Sequence, residues 1–422
     1  MYCVERPTDP PFHPIHPHAP SRSHLRLGAA PVLASILLFT AAGCQTNDAA
    51  PGTGIVIDTL TSGAIHVRNP ETGVWTQNDR WRLEESVRIG RVDGRGPDVF
   101  GQIRGLAVDA LRRVHVLDGQ ADEVRVFTPD GAHLRTLGGS GNGPGELSRP
   151  FGLGIDGSER TWVADSGNRR YTLWDSAGTL LGTRVRPLQG FGFIWTAGFD
   201  GERLLETSVV IGPEVSDWRP ALFRLAFQPP DGGVDTLLLP QEPSETYQLE
   251  EGGMTRMSAI VPFTPSQTLT PGTDAHIWVG FSDRFRLHRV SFSGDTVLII
   301  DREARPIPVN PMERDTALAM DFLQQMREAG AEVDPGRIPQ VKPAYEWVVE
   351  DDEGHLWVGV PNAQDEEGTR MDVFDREGRY LGGIRAHDRI SRWPLPVVRG
   401  GMLWAHVLDA FDVSHVVGYR IR

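Results

Sequence analysis

A sequence repeat with an offset of 47 residues limits what this chain can fold into more than any other feature. Three short motifs recur at that offset: 105–109 at 152–156, 114–118 at 161–165, and 127–131 at 174–178. Within a unit, apolar residues alternate, as in Val114 and Val116, and a turn with Asp130 and Gly131 separates two such runs. This alternation predicts β-strands, and four strands in roughly 40–50 residues match one blade of a β-propeller.

The second strand of this unit indicates the number of blades. It recurs six times, at 114–117, 161–164, 203–206, 277–280, 356–359 and 403–406. Four copies contain a tryptophan: Trp162, Trp278, Trp357 and Trp404. An aromatic ligand cage is one interpretation of these residues, but we expect them instead to fill the wedges between adjacent blades, since large aromatic side chains bury much apolar surface.

The two ends of the repeat array predict how the ring closes. The sixth unit has no candidate strand after Arg422, whereas residues 85–91 precede the first unit, at the place of an outer strand. A closed ring removes exposed strand edges. The sequence therefore predicts an all-β fold, a six-bladed β-propeller over residues 82–422 that is closed by an N-terminal strand.

Three insertions are expected in the later blades, at 207–219, at 241–262 and at 308–342. The third predicts a short helix between blades 4 and 5, with Asn310 as the N-cap, Pro311 in the first turn and Glu313 completing a capping box. An apolar stripe at helical spacing follows and ends at a glycine: Leu318, Phe322, Leu323, Met326 and Gly330. We expect the stripe to pack onto the propeller, and binding of a partner is the alternative. The helix and the 207–219 loop should share one face, which we predict to be the binding face.

The N-terminal segment carries targeting signals. Residues 28–43 form a 16-residue apolar run, short for a membrane span and typical of a signal peptide. The run ends in Ala41, Ala42, Gly43 and Cys44, which resembles a bacterial lipobox. This resemblance implies removal of 1–43, a lipid on Cys44 that attaches the protein to a membrane, and a lipidated tether and leading segment over 44–81. An ordinary secretory signal and a true membrane anchor are the alternatives.

The residues around Cys44 bear on redox state and location. The other cysteine, Cys3, lies in the segment predicted to be removed, so we expect no disulfide within the mature chain. Gln45 follows Cys44 instead of an aspartate, which favours the outer membrane under bacterial sorting rules.

One repeat unit carries a family resemblance. Residues 138–182 contain a Gly-rich loop, a strand that ends at Asp165, and Gly167, Asn168 and Arg169 in the following turn. This unit resembles an NHL repeat, and residues 82–422 resemble the bacterial six-bladed β-propeller proteins, a group rich in lipoproteins. The resemblance implies the fold; the group has no uniform activity, and a fold does not determine a function.

Acidic residues follow the predicted second strands and form the candidate binding face together with a histidine of the last blade. The candidates are Asp118, Asp122, Asp165, Glu206, Asp283 and His406, with Asp365, Glu366 and Glu367 in the same kind of loop. Converging carboxylates can bind Ca²⁺ through their oxygens. The alternative is that they are solvated or accept hydrogen bonds from turn amides.

Charge and motifs limit the function classes. The net charge of −14 disfavours a nucleic-acid partner. The sequence contains no HExxH or CxxC zinc motif. We therefore predict a non-enzymatic, cell-envelope lipoprotein without a cofactor that binds a protein, a peptide or a glycan. The alternative is a Ca²⁺-dependent hydrolase or lyase with its site at the central channel, as NHL-like and gluconolactonase-like propellers suggest.

Overall fold

A computed structural model describes residues 54–188, 198–211, 218–227, 233–364 and 366–422. Some predictions fall wholly or partly outside these ranges: the signal peptide 1–43, the lipidation site Cys44, the tether residues 45–53, residues 212–217 of the first predicted insertion and the candidate Asp365. Within the described ranges, the strands form the six blades of a β-propeller, as the repeat predicted. None of the described helices has the length and apolar character needed to cross a membrane.

The first half of the chain contains three leading strands and three blades. The leading strands are β1 (Val56–Thr59), β2 (Ile65–Asn69) and β3 (Leu83–Ile89). Blade 1 contains β4 (Ile103–Val108), β5 (Val114–Asp118), β6 (Glu123–Phe127) and β7 (His133–Gly138). Blade 2 contains β8 (Pro150–Ile155), β9 (Thr161–Asp165), β10 (Arg170–Trp174) and β11 (Leu180–Val185). Blade 3 contains β12 (Gly198–Asp200), β13 (Arg203–Ile211), β14 (Trp218–Ala226) and β15 (Gly233–Leu238).

The second half contains the remaining blades and the second and third predicted insertions. A hairpin of β16 (Thr246–Glu251) and β17 (Met254–Ile260) precedes blade 4. Blade 4 contains β18 (Gln267–Pro271), β19 (His276–Phe281), β20 (Arg286–Ser291) and β21 (Thr296–Arg302). The helices α1 (Pro311–Leu318) and α2 (Asp321–Glu328) and a 3₁₀ turn (Pro335–Arg337) follow. Blade 5 contains β22 (Trp347–Glu350), β23 (Leu356–Val360), β24 (Thr369–Phe374) and β25 (Tyr380–Ala386). Blade 6 contains β26 (Val397–Arg399), β27 (Met402–Leu408) and β28 (Ser414–Ile421).

The ring closes as the sequence predicted. Strand β3 pairs antiparallel with β28, from Val416 opposite Ile89 to Ile421 opposite Leu83, and so supplies the fourth strand of blade 6. The first strands of neighbouring blades contact one another, which places them around the centre of the ring. The N-terminal strand and the C-terminal strand of the propeller therefore stabilise each other within one blade.

The hairpin β1–β2 was not predicted. It extends blade 4 to six strands because β2 pairs in parallel with β21. The Asn69 side chain then connects this blade to blade 5, donating to the Gly378 carbonyl at 3.0 Å and accepting from the Tyr380 N–H at 2.7 Å. Part of the leading segment is thus integral to the propeller.

The helical insertion between blades 4 and 5 packs differently from the prediction. Asn310 caps α1, and the capping box with Glu313 is present, as expected. The helix, however, is interrupted after Leu318, and Leu323 and Met326 of α2 pack with Tyr247 and Val261 of the preceding insertion. The stripe therefore packs on the β16–β17 insertion instead of on a blade. The two insertions share a small apolar core because each presents an apolar face that needs cover.

Two insertion boundaries were also wrong. Residues 207–211 continue β13, which pairs with β14 in a long hairpin, so they are strand and not loop. The segment 241–262 contains the β16–β17 hairpin. Residues 207–211 are rich in β-branched side chains, and Tyr247 and Leu249 alternate with polar residues, which is consistent with strands. The deviation from the repeat length favoured a loop interpretation.

The four tryptophans lie between blades, as expected. Trp162 packs with Leu204 of blade 3, Trp278 with Val348 of blade 5, Trp357 with Leu403 of blade 6, and Trp404 with Val114 of blade 1. Each is at most 3% exposed. Replacing such a side chain by alanine typically costs about 3–5 kcal/mol, so these contacts are a main source of cohesion between blades.

Two of these tryptophans offer a matched test of hydrogen bonding. The Trp357 indole donates to Asp351 at 3.0 Å, whereas the Trp404 indole N–H has no partner among the described residues. We expect Trp357→Phe to destabilise the protein by about 1–3 kcal/mol more than Trp404→Phe, because only the first substitution removes a hydrogen bond to a buried carboxylate. Urea unfolding of both variants measures the difference. Equal losses would show that the indole–carboxylate bond contributes nothing.

Candidate functional site: the central channel

A cavity of about 740 Å³ lies at the centre of the ring. Its wall includes apolar residues from the first strands, among them Leu106, Leu153 and Val349. Seven polar side chains from four blades also line it: Gln102, Arg104, Thr270, Glu350, His406, Asp412 and Ser414. A concavity of a few hundred Å³ or more, in which apolar residues provide contact area and polar groups orient the ligand, is typical of ligand sites.

His406, one of the candidates from the sequence, lies in the wall of this cavity and is 7% exposed. Its Nδ1 lies 3.0 Å from the Trp393 carbonyl oxygen, and its Nε2 lies 3.2 Å from the Ser414 hydroxyl oxygen. Because a carbonyl only accepts, Nδ1 carries the proton and Nε2 accepts from the hydroxyl. Burial lowers the pKa of His406, so the imidazole is neutral at pH 7.

Glu350, at the end of β22 in blade 5, lies in the cavity wall and accepts hydrogen bonds from side chains of blade 4. It accepts hydrogen bonds from His276 Nε2 at 2.8 Å, from Trp278 Nε1 at 2.7 Å and from Thr273 Oγ1 at 2.7 Å. Burial alone would raise the pKa of Glu350, but these bonds, with His276 first among them, outweigh burial and lower it. Glu350 is therefore a charged link between two blades at the edge of the channel.

Asp118 and Asp165 occupy equivalent positions at the ends of second strands, and each is at most 1% exposed. Asp118 accepts from the N–H groups of Gly101 at 2.9 Å and Gln102 at 3.1 Å, in the connection that leads into its own blade. Asp165 accepts from the N–H of Ser148 at 2.9 Å in the same manner. Both carboxylates thus accept hydrogen bonds from backbone N–H groups in turns. This was the alternative to ligand binding in the sequence analysis.

The remaining candidates do not gather around one point. Asp122 accepts from Ser140 at 2.6 Å, Asp283 is exposed, and Glu206 is completely buried against Tyr171 and Arg186. In the second group, Glu366 pairs with Arg385 at 2.8 Å and Glu367 is exposed. No three His, Cys, Asp or Glu side chains are placed to bind one metal ion in the part of the chain that the structure describes. The acidic candidates are therefore engaged in separate contacts and do not converge as the Ca²⁺ hypothesis predicted.

Sequence reasoning missed a second set of carboxylates. Asp156 and Asp351 each follow a first strand, accept a backbone N–H four residues later and accept the indole N–H of a tryptophan six residues later. The Asp-to-aromatic spacing of six residues recurs in four places: Asp109 to His115, Asp156 to Trp162, Asp351 to Trp357 and Asp409 to His415. That spacing was a usable signal for turn formation.

Acid should weaken the turn that Asp109 stabilises. Burial alone would raise the pKa of Asp109, but hydrogen bonds from His115 and Arg113 bring it to about 2. Because the folded pKa lies below the unfolded value of about 3.9, this stabilisation of about 1–2 kcal/mol is present above pH ~4 and is lost as the pH falls toward 2.

The prediction is tested with Asp109→Asn. Its deficit in unfolding free energy relative to the wild type should shrink as the pH is lowered from about 6 to about 2.5, as measured by urea unfolding. A deficit that stays constant over this range would contradict the assignment.

No protein-family model matches this chain, and no curated protein sequence matches it. Solved structures do match. A Bacteroides vulgatus protein of the DUF4221 family has a TM-score of 0.52 at 13% identity, covering 82% of this chain and 99% of that one. A Bacteroides fragilis protein whose name describes it as exported has a TM-score of 0.48 at 13% identity, covering 85% of this chain and 99% of that one. Virginiamycin B lyase from Staphylococcus aureus has a TM-score of 0.38 at 13% identity, covering 81% and 89%. Likeness at this identity concerns the fold alone.

Proposed function

We propose that this protein is a lipid-anchored binding protein of the cell envelope whose ligand enters the central channel of the propeller. The cavity of about 740 Å³, whose wall combines apolar residues with seven polar side chains, carries this proposal. A rigid ring with a central cavity needs little rearrangement to admit a ligand, which favours affinity.

The residues at one mouth of the channel favour a peptide or a glycan as the ligand. Trp393 and Leu408 are 49% and 43% exposed, and Phe411, in the turn between β27 and β28, is 86% exposed. Exposed aromatic side chains are unfavourable in water and are enriched where proteins bind partners, since they supply a large contact area. The mouth of the channel at blade 6 is therefore the proposed point of first contact.

The proposed location follows from the sequence. An apolar run that ends at Cys44 supports export and lipidation, and the following Gln45 supports the outer membrane. A lipid on Cys44 would attach a folded domain to the membrane surface without a spanning segment.

Thermal melting of the full-length protein in detergent tests the proposal. The protein is mixed with a set of short peptides and, separately, with a set of short oligosaccharides. A ligand that binds only the folded state at about 100 times its Kd adds about 2.7 kcal/mol, so we expect a clear rise in melting temperature with members of one set.

Two variants locate the binding. Trp393→Ala should abolish the rise in melting temperature. Leu111→Ala is the matched control, since Leu111 is also exposed (68%) but lies in a turn between first and second strands, on the opposite face of the ring. Equal loss in both variants, or no rise with either set, would count against a channel ligand.

A further inference from the structure

We infer that Ser414 and His406 form a nucleophile–base pair that can transfer an acyl group at the mouth of the channel. The inference goes beyond binding, and it rests on the proposed function only in requiring that the cavity admits a ligand. It concerns a serine that no sequence motif marks and a histidine that the sequence analysis grouped with acidic residues.

The two residues are held by rigid structure. They lie on the paired strands β27 and β28, in which Leu408 is opposite Ser414 and His406 is opposite Val416. Since side chains two positions apart share a face of a sheet, Ser414 and His406 are diagonal neighbours on one face. Both line the cavity, and Ser414 is only half-buried, so a ligand can reach its hydroxyl.

The histidine is oriented as a general base. The Trp393 carbonyl accepts from His406 Nδ1 at 3.0 Å, which fixes the ring and leaves the Nε2 lone pair toward the Ser414 hydroxyl at 3.2 Å. The same carbonyl accepts from the Ser391 hydroxyl at 2.8 Å. A nucleophile, a base and a third group that orients the base are the three parts that hydroxyl activation requires.

Other buried histidines lack this arrangement. His276 has Glu350 on one ring nitrogen and Arg289 on the other, at 2.8 and 3.2 Å. His115 lies between Asp109 and Thr161, at 3.3 Å from each, and is 5% exposed. His415 follows Ser414 directly but points to the other face of β28, where it pairs with Asp409 at 3.2 Å. His406 combines a neutral ring, a hydroxyl at Nε2 and a position in the cavity wall.

The reaction class is cleavage of an ester. Ser414 Oγ attacks the ester carbonyl carbon, forming a C–O bond, while its proton passes to His406 Nε2. The bond to the leaving alkoxide breaks, and Nε2 returns the proton to it, releasing an alcohol. Water then attacks the acyl-serine, gives a proton to Nε2 and releases a carboxylic acid as Ser414 Oγ is reprotonated.

The cavity wall indicates the substrate class. The part of the wall that blade 6 contributes also includes Leu395, Val397 and Leu408, which suit an apolar acyl group. Arg104 provides one positive charge in the wall at blade 1, which favours a carboxylate on the ligand. We therefore expect esters of short apolar acids as substrates.

A fluorophosphonate probe tests the pair because it reacts with activated serines irrespective of the natural ligand. The full-length protein in detergent is labelled, digested and analysed by mass spectrometry, and hydrolysis of p-nitrophenyl butyrate is measured in parallel. We expect the label on Ser414, complete loss of the label in Ser414→Ala, and hydrolysis reduced about 100-fold or more in His406→Gln.

His415→Gln is the matched control, since it removes the neighbouring imidazole and should change hydrolysis by no more than about twofold. Melting temperatures verify folding, and if His406→Gln does not fold, Ser414→Ala and the position of the label in the wild-type protein still decide. A label that is absent from Ser414, or ester hydrolysis by Ser414→Ala at the wild-type rate, would overturn the inference. A ligand-dependent rise in melting temperature without this label would refute the chemistry while leaving the binding proposal intact.

Discussion

Removal of β3 is expected to open the propeller and abolish cooperative unfolding. A chain that starts at residue 90 lacks the outer strand of blade 6, whereas one that starts at residue 82 keeps it. The deletion exposes the edge of β28 and removes Ile89, which is 3% exposed in the core between blades 6 and 1. The free energy of unfolding of a whole domain is only about 5–15 kcal/mol. The chain that lacks this strand and its core contacts should therefore be almost completely unfolded.

Thermal melts of the two truncated chains, followed by circular dichroism, measure this effect. Both lack the β1–β2 hairpin, so the comparison isolates β3. A synthetic peptide of residues 82–90 should restore part of the transition when it is added to the shorter chain. If the chain starting at residue 90 melts cooperatively at the temperature of the longer one, closure by β3 is wrong.

Loss of the Glu206 carboxylate should have the next largest effect. Glu206 is completely buried and accepts from Arg186 Nε at 3.0 Å and from the Tyr171 hydroxyl, so it connects blade 3 to blade 2. Burial, and then the negative charge of Glu206, raise the pKa of Tyr171 and keep its hydroxyl protonated as a donor. Glu206→Ala removes the charge that neutralises a buried guanidinium, and we expect a loss of about 3–5 kcal/mol.

Urea unfolding of Glu206→Ala gives this number, and Glu202→Ala is the control. Glu202 lies in the same blade, is 58% exposed and faces Arg160 at 3.5 Å. Exposed ion pairs typically contribute at most about 1 kcal/mol. Similar losses in both variants would show that Glu206 does not have the structural role assigned here.

The features that the sequence predicted correctly are those with local or periodic signals. The strand alternation and the fixed offset identify the blade unit, and the recurring second strand gives the number of blades. The missing last strand of the sixth unit identifies β3 as the closing strand. The capping box of Asn310 and Glu313 is a local pattern of four residues, and it is present as expected. Such signals depend on neighbours in sequence, so they can be recognised without the fold.

The features that were missed depend on contacts between distant segments. Packing of Leu323 and Met326 against Tyr247 joins two insertions that the sequence treats separately. Ser414 and His406 meet only because β27 pairs with β28 in one particular register. Asp118 and Asp165 show a third difficulty, since an aspartate at a strand end looks the same in sequence whether it faces a ligand or a turn amide.

Urea unfolding of Asp165→Asn and His406→Gln, with Ca²⁺ and with EDTA, tests the central claim that the strand-end carboxylates maintain the fold and do not bind a metal ion. We expect Asp165→Asn to lose about 1–3 kcal/mol, because it weakens hydrogen bonds to a buried carboxylate, and His406→Gln to lose less. Neither the wild type nor the variants should respond to Ca²⁺. Two results together would contradict this account: Ca²⁺ stabilises the wild type but not Asp165→Asn, and the two proteins are equally stable in EDTA.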